Sequence, residues 1–151
     1  IKDSANFILA GTKINVNYEI SSNLPLIQID PDQISLVFQN ILLNAKEAMM
    51  DQGTINISIQ IINNDSHVPQ DLPADQYLQI LIADNGPGID HAVLPHIFDP
   101  YFTTKNTGTG LGLSTAYKIM KKHQGIIHCE SESGEGATFY LFFPVANKLV
   151  L

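Results

Sequence analysis

The strongest folding instruction in this sequence is a one-sided helix over residues 30–49. Asp30 is a good N-cap, Pro31 suits the first helical position, and Gln33 completes a capping box. Ile34, Val37, Phe38, Ile41, Leu42, Ala45, Ala48 and Met49 then recur on one helical face, and the pattern stops before Gly53. A helix with a single apolar stripe must bury it against a second layer.

The rest of the chain supplies that layer as strands. Residues 13–20 alternate, with Ile14, Val16, Tyr18 and Ile20 on one side. Residues 26–29 read as a short second strand. Ile55, Ile57, Ile59 and Ile61 alternate as a third, and residues 77–83 form a fourth. The inward parity of the fourth runs from Leu78 through Ile80 and Ile82 onto Asp84. A polar, proline-containing hairpin loop at 63–75 joins these two. Residues 85–110 are a long glycine- and proline-bearing segment, and such a length inside a compact domain usually serves function. A second helix spans 111–123 and stops at Gly125. Two strands, 126–131 and 137–143, follow around Ser133-Gly134-Glu135-Gly136.

The predicted order is ββ-α-ββ-loop-α-ββ. It makes an α+β two-layer sandwich: a mixed, mostly antiparallel sheet with helices on one face. Residues 1–11 read as the tail of a preceding helical domain or a linker. Residues 12–146 are the domain, and 147–151 a C-terminal tail.

Composition narrows the function. The 151 residues fit one domain; 44% are hydrophobic and only 15% charged, so an ordered core is expected. The net charge is −7, and every basic residue is lysine. Lys118, Lys121 and Lys122 are the one basic cluster. They close the second helix, where cations complement its dipole, so no nucleic-acid partner is expected. No apolar run approaches the ~20 residues of a membrane span, so the domain itself makes no direct membrane contact. Cys129 is the only cysteine and reads as a small buried hydrophobe, in keeping with a reducing, cytoplasmic setting. The chain begins at Ile1 and reads as a piece of a longer protein, which can carry a membrane anchor elsewhere.

Four segments carry chemistry. Asn40, Asn44 and Glu47 form a polar stripe along one edge of the first helix's apolar face. Their hard oxygens suit a cation such as Mg²⁺ carried by phosphates; an ordinary polar helix boundary is the alternative. Asp84 follows an inward strand parity, and a buried carboxylate needs a donor. Asn85-Gly86-Pro87-Gly88-Ile89 then lets backbone approach a ligand closely, and a purine amino group is one such donor. The alternative is an aspartate capping a turn.

The third segment, Gly108-Thr109-Gly110-Leu111-Gly112-Leu113-Ser114, leads into a helix, and a helix start binds phosphate well. It lacks the lysine of a P-loop and does not open a βαβ unit. The fourth is Ile97-Phe98-Asp99-Pro100-Tyr101-Phe102-Thr103-Thr104-Lys105. Its aromatics can pin a lid or hold a loop still, and Lys105 can reach phosphate.

In this order the four segments resemble the N, G1, F and G2 boxes of the histidine kinase catalytic domain, within the ATPase group that includes gyrase, the Hsp90 chaperone and MutL. The resemblance covers nearly the whole chain. It implies the Bergerat-type α/β sandwich, with ATP under a flexible lid. Asn44 resembles that family's Mg²⁺ ligand and Asn40 its partner one turn earlier. Asp84 resembles the aspartate bonded to the adenine amino group, with Gly86, Gly88 and Ile89 beside the base. Thr107, Gly108, Thr109, Gly110, Leu111, Gly112 and Leu113 resemble the phosphate-side loop. Phe98 and Phe102 resemble lid aromatics, with Lys105 beside them as a catalytic cation. Thr138 is similar to a hydroxyl that helps fix the aspartate. Glu47 has no settled counterpart, and support of the Mg²⁺ site is expected of it.

The gyrase-like branch has glutamate, a water-activating base, where this chain has Asn40. An amide cannot take that proton. The resemblance therefore implies γ-phosphoryl transfer by a protein-histidine kinase rather than rapid hydrolysis. Alternatives are a gyrase- or chaperone-like ATPase and a nucleotide-binding pseudokinase scaffold. His67, His91, His96, His123 and His128 stand in no acceptor motif. The phosphorylated histidine is expected on a separate dimerisation domain, with a response regulator receiver domain as the indirect partner.

Overall fold

The computed structural model describes residues 1–63 and 74–145. Most of the expected hairpin loop, with His67, and the tail at 147–151 lie outside the described residues. The elements run α1 (Lys2–Ile8), β1 (Lys13–Ile20), α2 (Pro31–Ala48), β2 (Gln52–Asn63), β3 (Gln76–Asp84), a 3₁₀ turn (Leu94–His96), α3 (Gly112–Lys122), β4 (Ile126–Glu132) and β5 (Gly136–Pro144). The sheet order is β1-β2-β3-β5-β4. β1 pairs with β2 in parallel, and the other three pairings are antiparallel. None of the described helices is long and apolar enough to cross a membrane.

The expected strand at 26–29 does not form. Ile27 and Ile29 pack against the core, but Leu26 is 96% exposed and the stretch has no ladder partner. Pro25 lacks an N–H for a ladder. Alternate burial was achieved by coil, so the true order is α-β-α-ββ-α-ββ.

The start of α2 also differs in detail. The Asp30 carboxylate accepts from the N–H groups of Asp32 and Gln33, as an N-cap should. The Gln33 side chain donates to that same carboxylate (2.9 Å) instead of accepting from the Asp30 N–H. The Asp30 N–H donates to His123 Nε2 at 3.0 Å, and His123 Nδ1 lies 2.8 Å from the Ile119 carbonyl. Through these two contacts His123 staples the head of α2 to the tail of α3.

The α2 stripe packs on the inward side of the sheet. Val37, Leu42, Ile55 and Leu141 are fully buried there, with Met120 from α3. Ile20 and Ile61, expected on this face, are exposed at 41% and 38%. On the opposite face Tyr77 and Phe142 form a smaller cluster with Ile62, Ile126 and Tyr140. The two helices thus flank the end of β3, where Asp84 stands.

Candidate functional site

A cavity of about 830 Å³ opens between α2, the start of α3, the 85–110 segment and the ends of β3 and β5. Small-molecule sites typically span roughly 300–1,000 Å³. Asn40, Asn44 and Glu47 line it along one edge of α2, together with Leu43 and Ala48. Lys46, on the same helix, is not on this wall and is partly buried.

Asp84 lines the opposite end. Its Oδ1 accepts from the Gly86 N–H at 2.9 Å and from the Ala137 N–H at 3.4 Å. No hydrogen bond from a described residue falls on Oδ2. Burial raises the carboxyl above its ordinary value, while the two backbone donors pull it down.

The turn after Asp84 is anchored on both flanks. Asn85 exchanges two bonds with the backbone of Thr54 on β2. Ser131 Oγ accepts from the Ile89 N–H at 2.8 Å and donates to the Gly136 carbonyl at 2.6 Å. Gly88 has φ +74°, and a Cβ there would strike the Glu132 carbonyl oxygen at 2.0 Å, so only glycine fits. Gly88 and Ile89 face the cavity. Gly86 does not line it; its N–H holds Asp84 from behind.

Thr107, Gly108, Thr109, Gly110, Gly112 and Leu113 line the far end. Leu111 does not, and is 40% exposed. A Cβ on Gly112 would stand 3.2 Å from Asn40 Oδ1, so the first turn of α3 sits directly against the asparagine edge of α2.

The aromatics divide. Phe102 lines the cavity, while Phe98 turns inward. Phe98 packs edge-on to Phe139 (6.5 Å between centroids) and beside Tyr117 (5.8 Å), anchoring the segment. Lys105 reaches back to α2: its ammonium donates to Asn44 Oδ1 at 3.2 Å and forms an ion pair with Glu47.

Thr138 needs correction. It pairs with Ala83 and Glu130 in the ladders, one residue out of phase with Asp84. Alternation therefore puts its hydroxyl on the opposite face of the sheet. Ala137 meets Asp84, through its backbone N–H. The apolar series Ala137, Phe139, Leu141, Phe143 carried that parity in the sequence. Sequence reasoning also missed Pro87, Val93, Ile97, Ala137 and Phe139 as wall residues. Their apolar character was the available signal, since small-molecule pockets are lined mostly by apolar side chains.

No group of three or more His, Cys, Asp or Glu among the described residues could hold a metal alone. The donors present still fit Mg²⁺, which keeps most of its waters and needs only one or two protein oxygens. The Asn44 amide oxygen and the Glu47 carboxylate are such oxygens, and in this structure they hold a cation, the Lys105 ammonium.

The fold has counterparts among known proteins. The model for the histidine kinase-, DNA gyrase B- and HSP90-like ATPase family matches residues 29–147. Sporulation kinase E of Bacillus subtilis (strain 168) is 36% identical over 91% of this chain and 17% of its own length. Sensor histidine kinase ZraS of Escherichia coli (strain K12) is 36% identical over 88% of the chain and 26% of its own. The chain thus spans about a quarter or less of these relatives. The solved catalytic domain of histidine kinase ThkA superposes with a TM-score of 0.72 at 26% identity, covering 96% of this chain and 92% of that one. Full-length ShkA in complex with AMPPNP shares the fold, with a TM-score of 0.76 at 22% identity over 96% of this chain and 29% of that one. With the matched family model spanning α2 through β5, this chain belongs to the histidine kinase-, DNA gyrase B- and HSP90-like ATPase family.

Proposed function

We propose that the chain is the ATP-binding catalytic domain of a sensor histidine kinase, and that it gives the γ-phosphate to a histidine on a separate dimerisation domain. The observation that carries this reading is Asp84. Among the described residues both of its donors fall on Oδ1, while Oδ2 takes none, on a carboxylate that lines a cavity with apolar walls. A ligand N–H on Oδ2 satisfies it, and the adenine 6-amino group has that chemistry.

The phosphates then extend toward Thr107, Gly108, Gly110 and Gly112, at the N-terminus of α3, where free N–H groups and the helix dipole favour anions. Asn44 and Glu47 would hold Mg²⁺, which when bound offsets phosphate charge. Asn40, against Gly112, carries an amide and cannot deprotonate a water. Phe102, Val93 and Ile97 exclude solvent along one wall. Catalysis by this domain is positioning and charge neutralisation, and the acceptor arrives from another domain. A response regulator receiver domain takes the phosphoryl group afterwards, and the domain works in the cytoplasm.

The test is ADP titration with thermal unfolding. ADP with Mg²⁺ should raise Tm, because a ligand bound only to the folded state stabilises it by mass action. Asp84→Asn should shrink the shift strongly at the same ADP concentration. Equal affinity in Asp84→Asn and wild type would overturn the adenine placement.

A further inference from the structure

Among the described residues Lys105 is the only basic side chain on the cavity wall, and it is already paired. Its ammonium bridges Asn44 and Glu47 on α2, and its own backbone is set by a bond from the Lys105 N–H to Thr103 Oγ1 (3.0 Å). The loop that presents it is pinched at the base. The Tyr101 N–H donates to the Gly110 carbonyl (2.9 Å), and Tyr101 holds φ +66°, an uncommon conformation for a bulky residue. Lys105 is thus presented to α2 by a loop with a fixed neck.

We propose, on the reading of the cavity as a nucleotide site, that Glu47 is a specificity-determining residue: paired with Lys105, it selects nucleotide carrying its divalent cation over metal-free nucleotide. A polyanion alone draws Lys105 away and leaves the Glu47 carboxylate facing phosphate oxygens. A divalent cation alone takes Asn44 and Glu47 and leaves the ammonium unpaired. Nucleotide with its cation satisfies both: phosphate takes Lys105, and the cation takes the two α2 oxygens. Both side chains of the pair are close to half exposed (40% and 45%), so the pair is weak enough to exchange readily. It serves as a filter and not as a lock.

The test is a titration of fluorescently labelled ADP into the whole chain, with Mg²⁺ and with EDTA, in wild type and Glu47→Gln. Hydrogen exchange of residues 101–110 is measured in the nucleotide-free proteins. Glu47→Gln should tighten metal-free ADP about three- to fivefold, the scale of a half-exposed ion pair. Its loop amides should also exchange faster than those of wild type. Lys105→Met should act oppositely, weakening metal-free ADP and steepening the Mg²⁺ dependence. If metal-free affinity is unchanged or weaker in Glu47→Gln while wild type binds normally, selection by Glu47 is wrong. Loop exchange unaltered by Glu47→Gln also counts against it. Failure of wild type to bind ADP in either condition would sink the nucleotide reading itself.

Discussion

A side chain at Gly136 would set its Cβ 2.0 Å from the carbonyl oxygen of Asp84. Gly136 has φ +86°, and Gly134, in the same turn, has φ +89° with nothing within 4 Å of a Cβ. The two glycines separate conformational strain from collision. Gly134→Ala should cost ~1 kcal/mol, the left-handed penalty alone. Gly136→Ala should cost at least ~3 kcal/mol, because β5 must move off β3. Urea denaturation of the two variants gives the comparison.

Asp84→Asn keeps an oxygen for the Gly86 and Ala137 donors, so the fold should persist. It removes a charged acceptor from the ligand. Such hydrogen bonds are worth ~1.5–3 kcal/mol, so ADP affinity should fall roughly ten- to a hundredfold. Calorimetric titration measures it.

The same residue links stability to pH. Burial raises the native Asp84 carboxyl above its unfolded value of 3.8. Between the two values the native state binds more proton than the unfolded state, so stability falls as pH rises through the native value. Below 3.8 the residue costs nothing, and above its native value the full cost is present. Asp84→Asn should therefore be more stable than wild type at about pH 7, with the gain shrinking toward about pH 4. Denaturation curves at both pH values would show it, and a constant difference would contradict the assignment.

Cys129 offers a probe of the same region. Burial, then the charges of Asp84 and Glu130, push its thiol up to about 12. Thiolate is the reactive form, so the native thiol should resist a disulfide reagent at about pH 8 and react once unfolded. Rapid reaction in buffer would mean that β4 opens locally.

Incubated with γ-labelled ATP, the isolated chain should stay unlabelled. His91, His96, His123 and His128 are all absent from the cavity wall. His96 pairs with Asp99 at 2.9 Å, and both ring nitrogens of His123 are engaged. Alkali-stable, acid-labile label on the chain is the contrary result.

Legibility followed the strength of the local period. The α2 stripe repeats over several turns, so its phase fixed both the buried face and the edge carrying Asn40 and Asn44. The parity of β3 likewise carried Asp84 inward. Residues 26–29 misled because two half-buried isoleucines two apart suit coil as well as strand, and hydrogen-bond partners are not written in the sequence. Thr138 misled because its resemblance rests on a hydroxyl, whereas strand alternation sets Ala137 and Phe139, not Thr138, on the face of Asp84. The Lys105–Glu47 pair was beyond reach: it joins a loop and a helix far apart in the chain, and no local pattern encodes that distance.

The neck formed by Tyr101 and Gly110 bears on how quickly this domain can capture a ligand. Their backbone bond makes the intervening segment a closed ring before anything binds. The entropy lost in bringing loop ends together, which grows with the logarithm of loop length, is therefore settled during folding and not at capture. What remains at capture is the ordering of a short arc and a few side chains. Helix α3 begins at Gly112, just beyond the neck, so its first turn lies outside that ring.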